Sequence, residues 1–240
     1  MSDQSTMEQP TRQDMPMLGL GTWEMTDPTV CRNAVETALE TGYRHIDTAQ
    51  AYGNEAAVGD GIQAASVPRE EVFLATKVWR DNLDRERVLQ STRESLRKLG
   101  VDSVELLYIH WPSERYDLEE TLGAFNQLYD EGSIDRIGIS NFEPDQVAEA
   151  VEVSDAPIFA NQIEVHPRLP RQPIREAWRE HDIEVVAYSP LGRGDIRAEP
   201  VLQDIADKHG CSPAQVSLAW LHEHGVTAIP KAARESHIQD

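Results

Sequence analysis

Lysine is almost missing from this chain: only residues 77, 98, 208 and 231 are Lys, so most of its 22 positive charges are arginines. Asp and Glu number 42, which sets the net charge at −20 and the isoelectric point near 4.7. Such a field repels phosphate backbones and anionic headgroups, which argues against nucleic acid and membrane surfaces as partners. Cysteine is scarce as well. Cys31 and Cys211 stand far apart in no ligand-like spacing, which suits free thiols in a reducing cytoplasm rather than a disulfide framework. No run nears the roughly 20 apolar residues of a membrane helix. The polar start, residues 1–14, lacks the apolar segment of a secretion signal and is expected to be a flexible tail. No strand leads into a Gly-x-Gly-x-x-Gly turn, which weakens a Rossmann reading. The dense carboxylates suit either a salt-rich cytoplasm, where their repulsion is screened, or an ordinary acidic protein.

What the chain does contain is a repeated strand-then-helix unit. Short apolar runs are expected to form strands at Met17–Trp23, Tyr43–Thr48, Val72–Val78, Val104–Trp111, Arg136–Asn141, Ile158–Val165, Val185–Ser189 and Val226–Lys231. Helical patterns follow them over residues 28–42, 54–65, 84–99, 118–129, 144–153, 172–180, 201–208 and 213–224. Their boundaries carry stop and start signals: Asp27-Pro28 is an N-cap with Pro at the first helical position, and Gly100 is a C-cap. Eight such units favour one domain over residues 15–240, a closed (β/α)8 TIM barrel of the α/β class.

In a barrel the carboxyl ends of all strands meet on one rim. Read in order, those ends offer Thr22 and Trp23, Asp47, Lys77, His110, Ser140 and Asn141, Gln162, Tyr188 and Ser189, and Lys231. Period-2 alternation turns Asp47 away from Ile46, and Tyr52 lies just past the same strand. Taken singly, each is unremarkable: Asp47 with Lys77 reads as a stabilising pair, His110 as a rim residue, Tyr52 as loop packing. Lys77 is the exception, because an unpaired ammonium ending an apolar strand is costly to desolvate. Jointly they describe a proton donor. A phenol is a poor acid near neutrality unless a neighbouring ammonium favours its phenolate, a carboxylate keeps that ammonium charged, and an imidazole orients the carbonyl oxygen that receives the proton.

The ordered segments Leu18-Gly-Leu-Gly-Thr-Trp23, Asp47-Thr-Ala-Gln-Ala-Tyr-Gly-Asn-Glu55, Leu96-Arg-Lys-Leu-Gly100, Ile109-His-Trp-Pro112, Gly138-Ile-Ser-Asn-Phe142, Asn161-Gln-Ile-Glu-Val-His-Pro167, Ala187-Tyr-Ser-Pro-Leu-Gly-Arg-Gly194 and Ile229-Pro-Lys231 resemble the aldo-keto reductase family over nearly the whole length. The nearest resemblance is to the small prokaryotic branch that includes the 2,5-diketo-gluconate reductases. The resemblance implies reduction of an aldehyde or ketone by 4-pro-R hydride from a nicotinamide, with Tyr52 as proton donor, Asp47 and Lys77 tuning it, and His110 orienting the carbonyl. It implies that Thr22, Trp23 and Asp47 border the cofactor, that Ser140, Asn141 and Gln162 hold its carboxamide, and that Tyr188 stacks on its ring. Ser189, Pro190, Leu191 and Gly192 would cover the pyrophosphate, and Lys231 would reach the adenosine phosphate. Trp23, Trp79 and Trp111, beside Tyr52 and His110, would line the substrate pocket, and three indoles favour apolar or ring-bearing carbonyl compounds.

Two departures from the family pattern stand out. Ala232 follows Lys231 where a Ser is usual, and His237 occupies the position of an Arg that pairs with the 2′-phosphate of NADP. Histidine cannot make that bidentate contact. With Lys231 kept and Arg234 nearby, NADP(H) is expected to be preferred, with NAD(H) also accepted. The sequence also stops at Asp240, inside the expected last barrel helix, which predicts exposed apolar outer faces on the first and last strands. The partner is expected to be a small carbonyl compound, the protein a monomer or weak homo-oligomer, and no metal is expected. Two other readings stay open: a cofactor-binding redox-sensing subunit with weak turnover, and a metal hydrolase using Asp47, His110 and His166.

Overall fold

The computed structural model describes residues 9–113, 116–179 and 181–240. Eight parallel strands form its centre: β1 (Leu20–Gly21), β2 (His45–Asp47), β3 (Phe73–Val78), β4 (Leu106–Ile109), β5 (Ile137–Ser140), β6 (Ile158–Glu164), β7 (Glu184–Tyr188) and β8 (Thr227–Ala228). Each pairs with the next in chain order. The sheet closes where Leu18 bridges Ala228 and Gly21 bridges Lys231, with the Gly21 amide donating to the Pro230 carbonyl at 2.9 Å. A Cβ on Gly21 would lie 2.7 Å from the Ile229 carbonyl oxygen, so this seam needs glycine. The expected α/β barrel is therefore present, with strands shorter than their apolar runs.

Alternation along the strands sorts the core into two layers. Inside the barrel lie Phe73, Ala75, Leu106, Tyr108, Phe159, Ala160, Val186 and Ile229. Facing outward, Ile46, Leu74, Val78, Leu107, Ile109, Ile137, Ile139 and Val185 pack beneath the helices. Those helices are α1 (Pro28–Glu40), α2 (Glu55–Ala64), α3 (Arg85–Leu99), α4 (Leu118–Asp130), α5 (Pro144–Val153), α6 (Gln172–Arg179), α7 (Pro200–His209), α8 (Pro213–Glu223) and the short α9 (Glu235–Ile238). Their ends follow the capping signals: Asp27 accepts from the Thr29 and Val30 amides, Ser212 and Gln215 form a capping box, and Gly100 takes the left-handed C-cap. Glu180, the expected end of the sixth helix, lies outside the described residues.

Two expectations need correction. The tail is not loose throughout: Thr11–Arg12 pairs with Met15–Pro16 in an antiparallel hairpin, which places Met15 inside the barrel's amino-terminal end. Residues 1–8 lie outside the described residues. Nor are the outer faces of the first and last strands bare. Leu20, Val226 and Ala228 are buried, and Ala232 and Ile238 around α9 join the same core, so a single helical turn suffices to cover the seam.

Candidate active site

The inward positions at the carboxyl ends of β2 and β3 bring Asp47 and Lys77 together in full burial. The Lys77 ammonium donates to Asp47 Oδ1 and, at 2.8 Å, to the Thr48 carbonyl. The second Asp47 oxygen accepts from Gln162 Nε2 at 2.8 Å. Burial alone would pull the Lys77 ammonium down, but Asp47 and then Tyr52 hold it above its ordinary value. Lysine therefore stays charged in a dry site.

Tyr52 sits in a 3₁₀ turn, Gln50–Tyr52, just beyond β2, with Gly53 at φ 67° releasing the chain into α2. Lys77 Nζ lies 5.2 Å from the Tyr52 ring centre. Burial raises the Tyr52 hydroxyl above the usual phenol range while Lys77 opposes that rise, so the phenol carries its proton near neutrality. His110 follows β4, and its ring meets the Tyr52 ring edge-on at 5.7 Å and the Trp79 ring at 5.2 Å. Burial, with Lys77 adding to it, pushes His110 down to about 3. The imidazole is therefore neutral at physiological pH.

Asp47, Tyr52 and His110 open onto a cleft of about 850 Å³ on the rim, with Lys77 buried behind them. Trp23, Trp79 and Trp111 line its mouth, with Trp23 and Trp111 each 41% exposed. Ser140, Asn141, Gln162, Tyr188, Ser189, Pro190, Leu191 and Lys231 continue the wall. Several of them hold one another: Ser140 Oγ donates to the Gln162 carbonyl at 2.8 Å, Asn141 Nδ2 to Ser140 Oγ at 3.0 Å, and Tyr188 OH to Asn141 Oδ1 at 3.0 Å. Asn141 adopts φ 62°, the left-handed region that Asn tolerates, as β5 turns onto the rim.

The remaining expected residues fall elsewhere. Thr22 is buried and donates to the Asp47 carbonyl at 3.0 Å, so it braces the acid from behind and does not line the cleft. Gly192 and Ala232 also lie off the lining, while Arg234 and His237 are exposed at the start and end of α9. The metal grouping fails on geometry. Both Asp47 oxygens are taken by Lys77 and Gln162, and Asp47, His110 and His166 do not gather into a set able to hold an ion among the described residues.

Sequence reasoning missed Arg193 and Arg197, which line the cleft from the Gly192–Ala198 turn. The Arg193 guanidinium lies 5.3 Å from the Trp23 ring, so the first and seventh loops meet across the mouth. The Gly-Arg-Gly run was the available signal. The donor set fits a nicotinamide dinucleotide: amide and hydroxyl groups of Ser140, Asn141 and Gln162 stand near Asp47, Tyr52 and His110, and the cations Arg193, Arg197 and Lys231 border the same cleft.

The sequence profile of the aldo/keto reductase family matches residues 17–240. The chain belongs to the aldo/keto reductase family. Among its relatives, a 9,11-endoperoxide prostaglandin H2 reductase of Trypanosoma cruzi is 42% identical over 229 residues, covering 94% of this chain and 81% of that protein. Methylglyoxal reductase DkgB of Escherichia coli O157:H7 is 40% identical over 228 residues, covering 94% and 85%. A solved structure of a candidate 2,5-diketo-D-gluconic acid reductase B superposes with a TM-score of 0.91 at 41% identity, over 93% of this chain and 80% of that one. This reductase is thus an NAD(P)H-dependent oxidoreductase built on the family's barrel. No helix among the described residues is long and apolar enough to cross a membrane.

Proposed function

We propose that this aldo-keto reductase reduces small aldehydes and ketones, dicarbonyls among them, with Tyr52 as the proton donor and NADPH as the preferred reductant. The observation that carries the reading is the buried Asp47–Lys77 pair set against the Tyr52 ring, with a neutral His110 beside it. The nicotinamide, when bound, supplies the hydride. His110 then donates a hydrogen bond to the carbonyl oxygen, and Tyr52 gives its proton to that oxygen as negative charge develops there. Lys77 stabilises the phenolate left behind, and Asp47, fixed by Gln162, keeps the ammonium aimed. Trp23, Trp79 and Trp111 form apolar walls that exclude water and favour substrates with an apolar end.

The names of two relatives point to dicarbonyl substrates, methylglyoxal for one and 2,5-diketo-D-gluconate for the other, which agrees with a cleft open to small polar carbonyls. Lys231, Arg193 and Arg197 support the preference for NADP(H), and the absence of an Arg at position 237 supports a narrow margin over NAD(H). The acidic surface fits a protein working in the cytoplasm as a monomer or weak homo-oligomer, in a salt-rich or ordinary acidic background. The test is a rate screen of methylglyoxal, other dicarbonyls and aromatic aldehydes with NADPH and with NADH, in dilute buffer and in molar salt. Higher kcat/KM with NADPH and measurable dicarbonyl reduction are expected. Equal or better efficiency with NADH overturns the cofactor preference, and loss of activity in molar salt overturns the salt-rich setting.

A further inference from the structure

Tyr52 stands on a turn with little stiffness of its own. Its turn bonds are Tyr52 N to the Ala49 carbonyl at 3.1 Å and Gly53 N to the Gln50 carbonyl at 3.3 Å. Side chains must therefore decide where the phenol rests. On one flank Asn54 ties the turn to the first loop, donating to the Thr22 and Met25 carbonyls at 2.9 and 3.3 Å while accepting from Thr48 Oγ1 at 3.0 Å. On the other flank the anchor is Gln50, a residue with no place in the proton transfer itself.

Both ends of the Gln50 amide are engaged by the segment that follows β3. Its Oε1 accepts from the Trp79 amide at 3.0 Å and from Asn82 Nδ2 at 3.1 Å, and its Nε2 donates to Ser95 Oγ on α3 at 3.2 Å. Trp79 lies one residue past the end of β3, where the strand ladder no longer supplies an acceptor. Its ring packs edge-on against His110 at 5.2 Å, and His110 packs edge-on against Tyr52 at 5.7 Å. Tyr52, His110, Trp79 and Gln50 thus form a closed circuit of two ring contacts, one hydrogen bond and the backbone, which returns to Tyr52 two residues along the chain.

The geometry points to Gln50 as a positioning residue that fixes the Trp79 wall of the substrate pocket at a set distance from the Tyr52 hydroxyl, and so governs acceptance of ring-bearing carbonyl substrates. This rests on the proposed function, in which Tyr52 is the acid and Trp79 a wall. A small dicarbonyl needs only Tyr52 and His110, and when Gln50 is changed Asn54 on the opposite flank still ties the Tyr52 turn to the first loop. A ring-bearing aldehyde must also lean on Trp79. Releasing that wall weakens its binding without touching the chemistry.

The test compares the full-length wild type with Gln50→Leu, which keeps the volume and removes every hydrogen bond, and Gln50→Glu, which keeps the acceptor for Trp79 and Asn82 and can accept from Ser95. Methylglyoxal and 4-nitrobenzaldehyde serve as small and ring-bearing probes, with NADPH affinity and circular dichroism as checks on the fold. Gln50→Leu is expected to raise KM for 4-nitrobenzaldehyde about tenfold, the scale of losing the bond to Trp79 and the Asn82 bond beside it. Its KM for methylglyoxal should stay within about twofold, and Gln50→Glu should restore the aromatic KM to within about threefold. If Leu prevents folding, Asn82→Ala, which removes one donor to Gln50, should shift the aromatic KM in the same direction by about threefold. Equal changes for both probes, no change for either, or failure of Glu to rescue overturns the inference. Tyr52→Phe is measured alongside. If it remains active, the reading beneath has failed; if it is inactive while the Gln50 variants show no split, only the role of Gln50 has failed.

Discussion

Each end of the barrel holds an ion pair, and the two pairs are built for different work. At the amino-terminal end Arg12 Nε meets Glu184 Oε2 at 2.6 Å, with Gln13 Nε2 on the other oxygen at 3.0 Å, and the Arg12 side chain remains 39% exposed. Arg136 completes that end by lying over the Phe73 and Phe159 rings at 5.5 and 5.0 Å. At the carboxyl end Lys77 and Asp47 are 0% and 2% exposed. Water reaches one partner of the lower pair and neither partner of the upper. Charges interact more strongly where water is excluded, so the Lys77 charge acts across several ångströms on Tyr52 and His110, whereas the Arg12 charge ends at its partner. The lower pair latches a plug, and the upper pair tunes a reaction.

The largest consequence should follow from breaking the upper pair. Lys77→Met leaves the Asp47 carboxylate buried beside only Gln162, and urea unfolding is expected to show a loss of about 3 kcal/mol or more together with loss of reduction. Next comes His110. Its folded pKa of about 3 lies below the unfolded value near 6.5, so its neutral form contributes fully above pH 6.5 and that contribution is lost as pH falls from 6.5 toward 3. By pH 4.5 the loss amounts to roughly 2 to 3 kcal/mol. His110→Gln, which cannot take the proton, should show a correspondingly shallower fall in urea midpoint between pH 7 and 4.5; an unchanged slope would mean that the upper end is wetter than its geometry implies. The smallest effect belongs to the lower end. Arg12→Met leaves the buried Glu184 with the Gln13 bond and with the opening that the half-exposed Arg12 vacates to water, and should cost about 1 to 2 kcal/mol with kcat/KM unchanged. A loss there equal to that of Lys77→Met would erase the contrast.

Much of the upper end was legible in the chain itself. Asp47 and Lys77 end strands whose apolar alternation fixes the side they face, and His110 stands between an apolar run and Pro112. Helix bounds were legible where a cap residue precedes proline, as at Asp27 and Ser212. What escaped depends on contacts between distant positions. Arg12 and Glu184 are 172 residues apart, and nothing local marks Thr11–Arg12 as a strand. Thr22 stands at a strand end like its neighbours, but its hydroxyl turns back to the Asp47 carbonyl. Nothing local marks Gln50, because its partners lie 29, 32 and 45 residues away. The seam was misjudged because a four-residue helix, with Ile238 buried and its carbonyl accepting from Tyr43 OH at 3.3 Å, does the covering expected of a longer one.

Tyr52 as the proton donor is the assignment on which the other roles at the upper end depend. Its most direct test is single-turnover reduction of methylglyoxal by Tyr52→Phe loaded with NADPH, after a binding titration has shown that the cofactor still binds as in the wild type. A fall in rate of about a thousandfold with unchanged cofactor affinity is expected. A rate near that of the wild type would contradict the assignment and, with it, the role given to the buried Asp47–Lys77 pair.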